Sequence, residues 1–589
     1  MMKTVVALSS LRAKSLVLLL LLLLTFFCCA ENASSLVVTQ EDVMEAFEAL
    51  KADAHKLPEK EMRLRLNSLR KLRGQLNPPP PRQDKVDHVV VLLMENHGFD
   101  QMLGCMDLPG ADGISTETGH SIPVDPSDPT KGNVTMKCGT AKYVCPSGPG
   151  YGLFSSKFAP GANTHTYPYD EQSDGNSYAN GATGGTTMTA YSPDQIPVKA
   201  SVAKHFGVFN RYYTSVPSAS SPNHLMIQSA TSCGIIDNIV YTKCGGKTAT
   251  FPQMTIYDSM YVNNISFSIF MNSTCGIDGH PACHGVDPTS PDAGSTINAP
   301  DVGMSGVGRY KSRFMSQQFF YEGAANGTLP ALSWMLPPME ACDHPCYDIA
   351  KGERLLKDVY EALRASPKWN KTLFFVVYDD DGGYYDHVVP PFEGVPSDDA
   401  PCHITDQCEG SQKFDFRRLG LRSTAMLISP LVPKGAVFQE PRQGPTNTSQ
   451  FDHTSVPATL KNLFNLTGFL TKRDEWAGSF DELLLDEPRA DAPMHLPEAP
   501  KPAKPWGPVP NGSDTTSSLA PQHCSRVARA CLGPAVSTQK QRNAIRLFSN
   551  LENEKLPDVD AMDVATADAW IRRVWGSWIA RDDPWEEEL

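Results

Sequence analysis

The sequence predicts an α/β fold around a central, mostly parallel sheet, and three observations lead there. Three short runs rich in β-formers, HVVVLLM (88–94), TLFFVVY (372–378) and STAMLIS (423–429), are apolar at consecutive positions, so both faces of each are destined for burial. An amphipathic segment, ERLLKDVYEALRAS (353–366), directly precedes the second run, as helices and strands alternate in a layered α/β domain. Composition agrees: 589 residues, 41% hydrophobic and 20% charged, describe a folded chain able to bury a large core.

The elements follow in chain order. Lys3, Arg12 and Lys14 precede the apolar stretch SLVLLLLLLLLTFFCCA, so residues 1–30 are expected to be a signal peptide cleaved after Ala30. The other reading is an uncleaved anchor, because the run approaches membrane-spanning length. Residues 31–84 form a helical N-terminal extension and Pro-rich linker. Val43, Phe47 and Leu50, then Met62, Leu66, Leu69 and Leu72, recur at helical spacing before NPPPPRQ (77–83) breaks the helix. A propeptide and a surface helical hairpin both fit this pattern.

Residues 85–488 carry the strand–helix alternation and form the predicted catalytic domain. Within it, residues 100–195 are rich in Gly, Pro, Ser and Thr and are expected to be long loops. Residues 489–589 are a second linker, EAPKPAKPWGPVPNGS (498–513), and a helical tail whose clearest helix is ADAWIRRVWGSWIA (567–580).

A net charge of −14 argues against non-specific nucleic-acid binding, which needs a basic surface. The chain has 15 cysteines, of which Cys28 and Cys29 lie in the leader. The others include the close-set couples Cys138/Cys145, Cys233/Cys244, Cys275/Cys283, Cys342/Cys346, Cys402/Cys408 and Cys524/Cys531, with Cys105 left over. In an oxidising lumen, many of these couples are expected to close short-loop disulfides. Glycosylation sequons at Asn32, Asn133, Asn264, Asn272, Asn326, Asn370, Asn447, Asn465 and Asn511 agree with a glycoprotein of the secretory pathway, secreted or held in an endomembrane or vacuolar lumen.

The chemistry-bearing residues cluster at strand ends. In open α/β sheets ligands bind beyond the carboxyl ends of the strands. There the first run delivers Glu95 and Asn96, and the second delivers Asp379, Asp380 and Asp381 followed by Gly382 and Gly383. Oxygen donors at neighbouring strand ends suit a hard divalent cation. Solvated strand ends are the plainer alternative. In SVPSASSPNHLMIQSA (215–230), Ser220 and Ser221 precede Pro222 at the predicted start of a helix, where unpaired N–H groups favour an alkoxide or a phosphate. An N-cap serine is the simpler reading. His165, His344, His387 and His453 sit in polar, patterned contexts suited to phosphate contact, metal ligation or leaving-group protonation.

Together these pieces resemble the phosphoesterase family of secreted phospholipases C and acid phosphatases, which includes the plant non-specific phospholipases C. The segments ENHGFD, HTY, SSPNHL, DHPCYD, YDDDGGYYDHVVPP and HTSVPATL follow the family's motifs in order across residues 88 to 466. The resemblance implies an alkaline-phosphatase-like α/β sandwich and metal-assisted hydrolysis of phosphate esters through a phosphoserine. By position it makes Glu95, Asn96, Asp379 and Asp380 ligands of a divalent metal and Ser220 the nucleophile. His165 and His344 become phosphate contacts or proton donors, while His387 and His453 match substrate-binding positions. It implies a phospholipid substrate cleaved to diacylglycerol and a phosphorylated headgroup, with transient contact at a membrane surface. An acid phosphatase acting on soluble monoesters, or an inactive binding glycoprotein, are the alternatives. The chain departs from the pattern at His97-Gly98 (for Arg-Ser), His224 (for Arg), Tyr347 (for His) and Asp381 (for the plant members' His).

Overall fold

The computed structural model describes residues 38–77, 83–114, 120–123, 130, 132–144, 187–236, 251–271, 304–337, 341–345, 347–399, 402, 414–503 and 570. The leader, His165, and the C-terminal tail apart from Trp570 lie outside them. Eight strands form the central sheet: β1 (His88–Met94), β2 (Gly207–Phe209), β3 (Phe267–Met271), β4 (Phe314–Ser316), β5 (Leu332–Leu336), β6 (Thr372–Tyr378), β7 (Ala425–Ile428) and β8 (Ala436–Phe438). Their order across the sheet is β8-β2-β7-β6-β1-β5-β3-β4.

The expected parallel core is present in β6-β1-β5-β3-β4. The STAMLIS run forms β7 beside β6 as expected, but antiparallel to it. The described residues between β6 and β7 contain no helix, and an antiparallel neighbour needs no crossover from the carboxyl end of β6. The Gly- and Ser-rich stretch after residue 100 is likewise not all loop. His120–Pro123, Asn133–Cys138 and Thr189–Ala190 build a small three-stranded sheet.

Every residue of β1, β5 and β6 is buried, which is what an unbroken apolar run requires. Alternate side chains serve opposite layers. Val89, Val91 and Leu93 join a core that includes helices α1 (Gln40–Asp53), α2 (Glu59–Gly74), α4 (Ser220–Ser229), α5 (Ile256–Val262) and α8 (Ser455–Phe464). Val90, Leu92 and Met94 face α3 (Pro197–His205), α6 (Gln317–Asn326) and α7 (Ile349–Ala365). The sheet is thus sandwiched between two helical layers.

The N-terminal helices pack as a hairpin on this sandwich. Val43, Phe47, Leu50, Met62, Leu66 and Leu69 are buried members of the main core. At roughly 1.5–3 kcal/mol for each large apolar side chain withdrawn from water, this stripe is a substantial part of the layer's cohesion. A capping box between Thr39 and Asp42 starts α1, and Arg309 joins Glu59 of α2 to the buried Asp258 of α5.

Among the described residues the disulfides differ from the short-loop expectation for Cys138, Cys233 and Cys402, while Cys145, Cys244, Cys275, Cys283, Cys346, Cys408, Cys524 and Cys531 lie outside those residues. Cys105 bonds Cys138 and Cys233 bonds Cys402, with Cα separations of 5.8 and 4.9 Å. Couples close in sequence compete with cysteines brought close by the fold, and here the fold decides.

Candidate active site

The register of the central pair brings the acidic strand ends together. Met94 pairs with Tyr378, so Glu95 and Asp379 leave their strands side by side, and the Asp379 N–H donates to the Met94 carbonyl at 3.1 Å. On the other flank, the Glu95 N–H donates to the Cys342 carbonyl at 2.8 Å, tying in the segment that carries Asp343 and His344. Asn96 takes a left-handed conformation (φ 61°), which asparagine tolerates better than most residues, and its N–H donates to Asp379 Oδ1 at 3.0 Å. A side chain at Gly382 would place its Cβ 2.1 Å from the Asn96 carbonyl oxygen, so the glycine is required for the two loops to touch.

Ser220 is the first residue of α4, and its hydroxyl lies 3.2 Å from Asn96 Oδ1 and 3.0 Å from Asp380 Oδ2. The other Asp380 oxygen accepts from the Gly382 N–H at 2.8 Å. Asn223 fixes the turn ahead of the serine. Its Oδ1 accepts from the Val216 N–H, and its Nδ2 donates to the carbonyls of Val216, Ser218 and Ala219. Glu95, Asn96, Asp379, Asp380 and Ser220 therefore converge in one buried site.

His224, one turn after Ser220 on the same face of α4, also enters it. Its Nε2 lies 3.5 Å from Asp379 Oδ2 and 3.9 Å from Glu95 Oε1. The sequence showed this position only as a missing arginine; the spacing of Ser220 and His224 on a predicted helix was the signal available. Burial, with the charges of Asp379, Asp381 and Glu95, raises the Asp380 carboxyl well above the ordinary range, and burial lifts Asp381 to about 7. So many carboxylates sharing a dry site is the electrostatic strain that a divalent cation relieves, and the hard oxygen donors of Glu95, Asn96, Asp379 and Asp380 fit one.

The remaining histidines separate. His453 is buried, with Nε2 donating to the Asp379 carbonyl at 2.6 Å and Nδ1 accepting from the Tyr212 hydroxyl at 3.1 Å. Burial pushes its pKa down to about 4, so it holds Asp379 in place as a neutral ring. His387 has both nitrogens on carboxylates, Nδ1 on Asp100 at 2.7 Å and Nε2 on Asp112 at 2.9 Å. Burial opposes its charge, yet Asp100, Asp386 and Asp112 keep its pKa up at about 9. Arg422 completes that cluster, its Nε bonding Asp386 and its Nη2 bonding Asp100. Both nitrogens of each ring are engaged by protein groups. His344 is half-buried, with Nδ1 against the Pro345 carbonyl at 2.9 Å. Asp343 beside it takes φ 73° and is tied to the buried Lys199 at 3.0 Å.

The phosphoesterase family pattern matches residues 86–467. The chain belongs to the phosphoesterase family. It is 35% identical over 439 residues to non-specific phospholipase C6 of Arabidopsis thaliana, covering 71% of this chain and 76% of that one. Non-specific phospholipase C3 of the same plant is also 35% identical, over 70% of this chain and 76% of its own. Non-hemolytic phospholipase C of Burkholderia pseudomallei is 23% identical, over 64% and 55%. Among solved structures, a protein in the alkaline phosphatase superfamily from Vibrio parahaemolyticus aligns with a TM-score of 0.26 and 9% identity, over 47% of this chain and 62% of that one. So slight a likeness carries no argument; the α/β architecture rests on the sheet itself. As a phosphoesterase, the protein is a hydrolase of phosphoric esters, and the converging strand ends and Ser220 lie within the matched residues.

Proposed function

We propose that this phosphoesterase cleaves phospholipids in the manner of a phospholipase C, releasing diacylglycerol and a phosphorylated headgroup, through a phosphoserine at Ser220 and with a divalent cation held by Glu95, Asn96, Asp379 and Asp380. The observation that carries the proposal is the Ser220 hydroxyl, set at the start of α4 and hydrogen-bonded to Asn96 and Asp380. The relatives named as phospholipases C support the choice of substrate.

When bound, the cation would neutralise phosphate oxygen charge and lower the pKa of the serine hydroxyl. Asp380 Oδ2 receives the Ser220 proton along the existing 3.0 Å hydrogen bond. Ser220 Oγ then forms a bond to phosphorus as the bond from phosphorus to the diacylglycerol oxygen breaks. The departing alkoxide takes a proton from an acid at the mouth of the site, a role the resemblance gives to His165 or His344. The first-turn N–H groups of α4 favour the anionic phosphoryl oxygens. Water then attacks the phosphoserine and gives a proton to the group that protonated the alkoxide; as the bond from phosphorus to Ser220 Oγ breaks, Asp380 returns the serine's proton and the headgroup phosphate leaves. The proposal also sets the protein in the secretory lumen, supported by the apolar leader, the sequons, and disulfides between distant segments.

The test compares wild type and Ser220→Ala on phosphatidylcholine vesicles and on a soluble monoester, with acid-quenched protein analysed by peptide mass spectrometry. Diacylglycerol release, a phosphate on the Ser220 peptide, and at least a roughly 10³-fold loss in the variant are expected. Turnover of the monoester alone would replace the reading with an acid phosphatase. Undiminished hydrolysis by Ser220→Ala would overturn the mechanism, and inactivity of wild type on every phosphoester with every divalent metal would favour an inactive binding glycoprotein.

A further inference from the structure

We infer that His224 is a nitrogen ligand of the catalytic cation, converting an all-oxygen site into one that prefers a borderline metal such as zinc over magnesium or calcium. The inference rests on the metal-assisted reading above and adds to it a donor that the family resemblance does not supply.

Three features of the structure support it. His224 Nε2, Glu95 Oε1 and Asp379 Oδ2 belong to a buried trio whose donor atoms all lie within 4.8 Å of one another. The separations from the nitrogen to the two oxygens are 3.5 and 3.9 Å. They match the roughly 3–4 Å between donors that share an ion at about 2.1 Å. Second, the helix dictates the placement. Ser220 and His224 are four residues apart on α4, so the element that presents the hydroxyl presents the imidazole beside it. Third, the carbonyl of His224 accepts from the Gln228 side chain at 3.1 Å, while Gln228 also accepts from the Tyr257 hydroxyl at 3.0 Å, which locks this turn of α4 against α5. The ring is thus carried on a braced, buried turn, as a ligand needs.

Exchanging the arginine expected here for histidine has a chemical consequence. A guanidinium cannot coordinate a cation and stays charged, whereas a neutral imidazole is a good ligand for zinc and iron.

The experiment uses the full chain stripped of metal by a chelator. Calorimetric titration with Zn²⁺ and with Mg²⁺ is performed on wild type, His224→Gln and His224→Arg, and the Mn²⁺-loaded wild type is examined by pulsed electron paramagnetic resonance. Electron spin-echo modulation from directly bound ¹⁴N is expected in wild type and absent in both variants. Zn²⁺ affinity should fall by about 100-fold or more in His224→Gln, and Mg²⁺ affinity by less than about 3-fold. Thermal unfolding of the stripped proteins checks that the variants fold; if they do not, the wild-type spectrum decides alone. Metal binding without nitrogen modulation, and with Zn²⁺ affinity unchanged in His224→Gln, overturns the assignment but leaves metal-assisted hydrolysis standing. Weaker vanadate binding in that variant at unchanged metal affinity would instead make His224 a phosphate contact. Wild type that binds no divalent cation overturns both readings.

Discussion

Two buried clusters in this protein bring carboxylates against histidine, and they balance their charge by different means. Around Asp100, Asp386 and His387, the counter-charge is Arg422, a permanent cation with no solvent exposure whose forked donors bind both aspartates. Around Glu95 and Asp379, the partner from α4 is the His224 ring, and a serine hydroxyl stands alongside on Asp380. The first arrangement is a clasp, joining the short helix after β1, Phe99–Met102, to the segments that carry Asp386 and Arg422. The second keeps groups that can exchange protons and take a cation. Acid-rich and histidine-bearing are therefore not sufficient signs of a site; what neutralises the acids decides.

The comparison can be tested by perturbing each cluster in turn. Ser220→Ala should lower kcat by about 10³-fold or more while the unfolding midpoint in urea hardly moves. Arg422→Met should do the reverse, costing about 3–5 kcal/mol of stability in denaturant titration by leaving Asp100 and Asp386 buried without their cation. Arg422→Lys should recover only part of this, because an ammonium cannot fork between two carboxylates. A smaller effect is expected from His453→Phe, which removes the hydrogen bond from the ring to the Asp379 carbonyl. Hydrolysis should fall about 10- to 100-fold in steady-state assays, with the fold retained.

The mildest test is pH. His387 is held above its ordinary pKa, at about 9, so its contribution to stability is complete below about 6.5 and is lost as pH rises through 9. Urea midpoints measured at pH 6 and pH 9.5 should fall further for wild type than for His387→Gln. Equal falls would remove the charged histidine from the clasp.

Much of this was visible in the sequence because it is local. Consecutive apolar residues mark β1 and β6 as buried on both faces, and the polar residues that end them mark where a ligand would sit. The direction of β7 was not legible, since a run apolar on both faces reads the same in either orientation. The clasp escaped notice for a different reason. Its arginine lies between Leu421 and Ser423 with no motif around it, and the carboxylates that bind the His387 ring are 287 and 275 residues away. His387 was found by its motif, but only its partners show that its nitrogens are occupied. His224 was visible as a departure from a pattern, yet the consequence needed the geometry of Glu95 and Asp379 around it.

The pairing of β1 with β6 also sets a timetable. Asn96 and Asp379 meet across 283 residues of chain. At roughly 5–20 residues per second of synthesis, the first strand waits about 15–60 seconds for its central neighbour. For most of that interval, until Leu332–Leu336 is made on its other side, HVVVLLM is an apolar ribbon with both edges unpaired, the kind of segment that invites wrong partners. Efficient production of this protein thus depends on keeping its first sheet strand solitary until the middle of the sheet has been made.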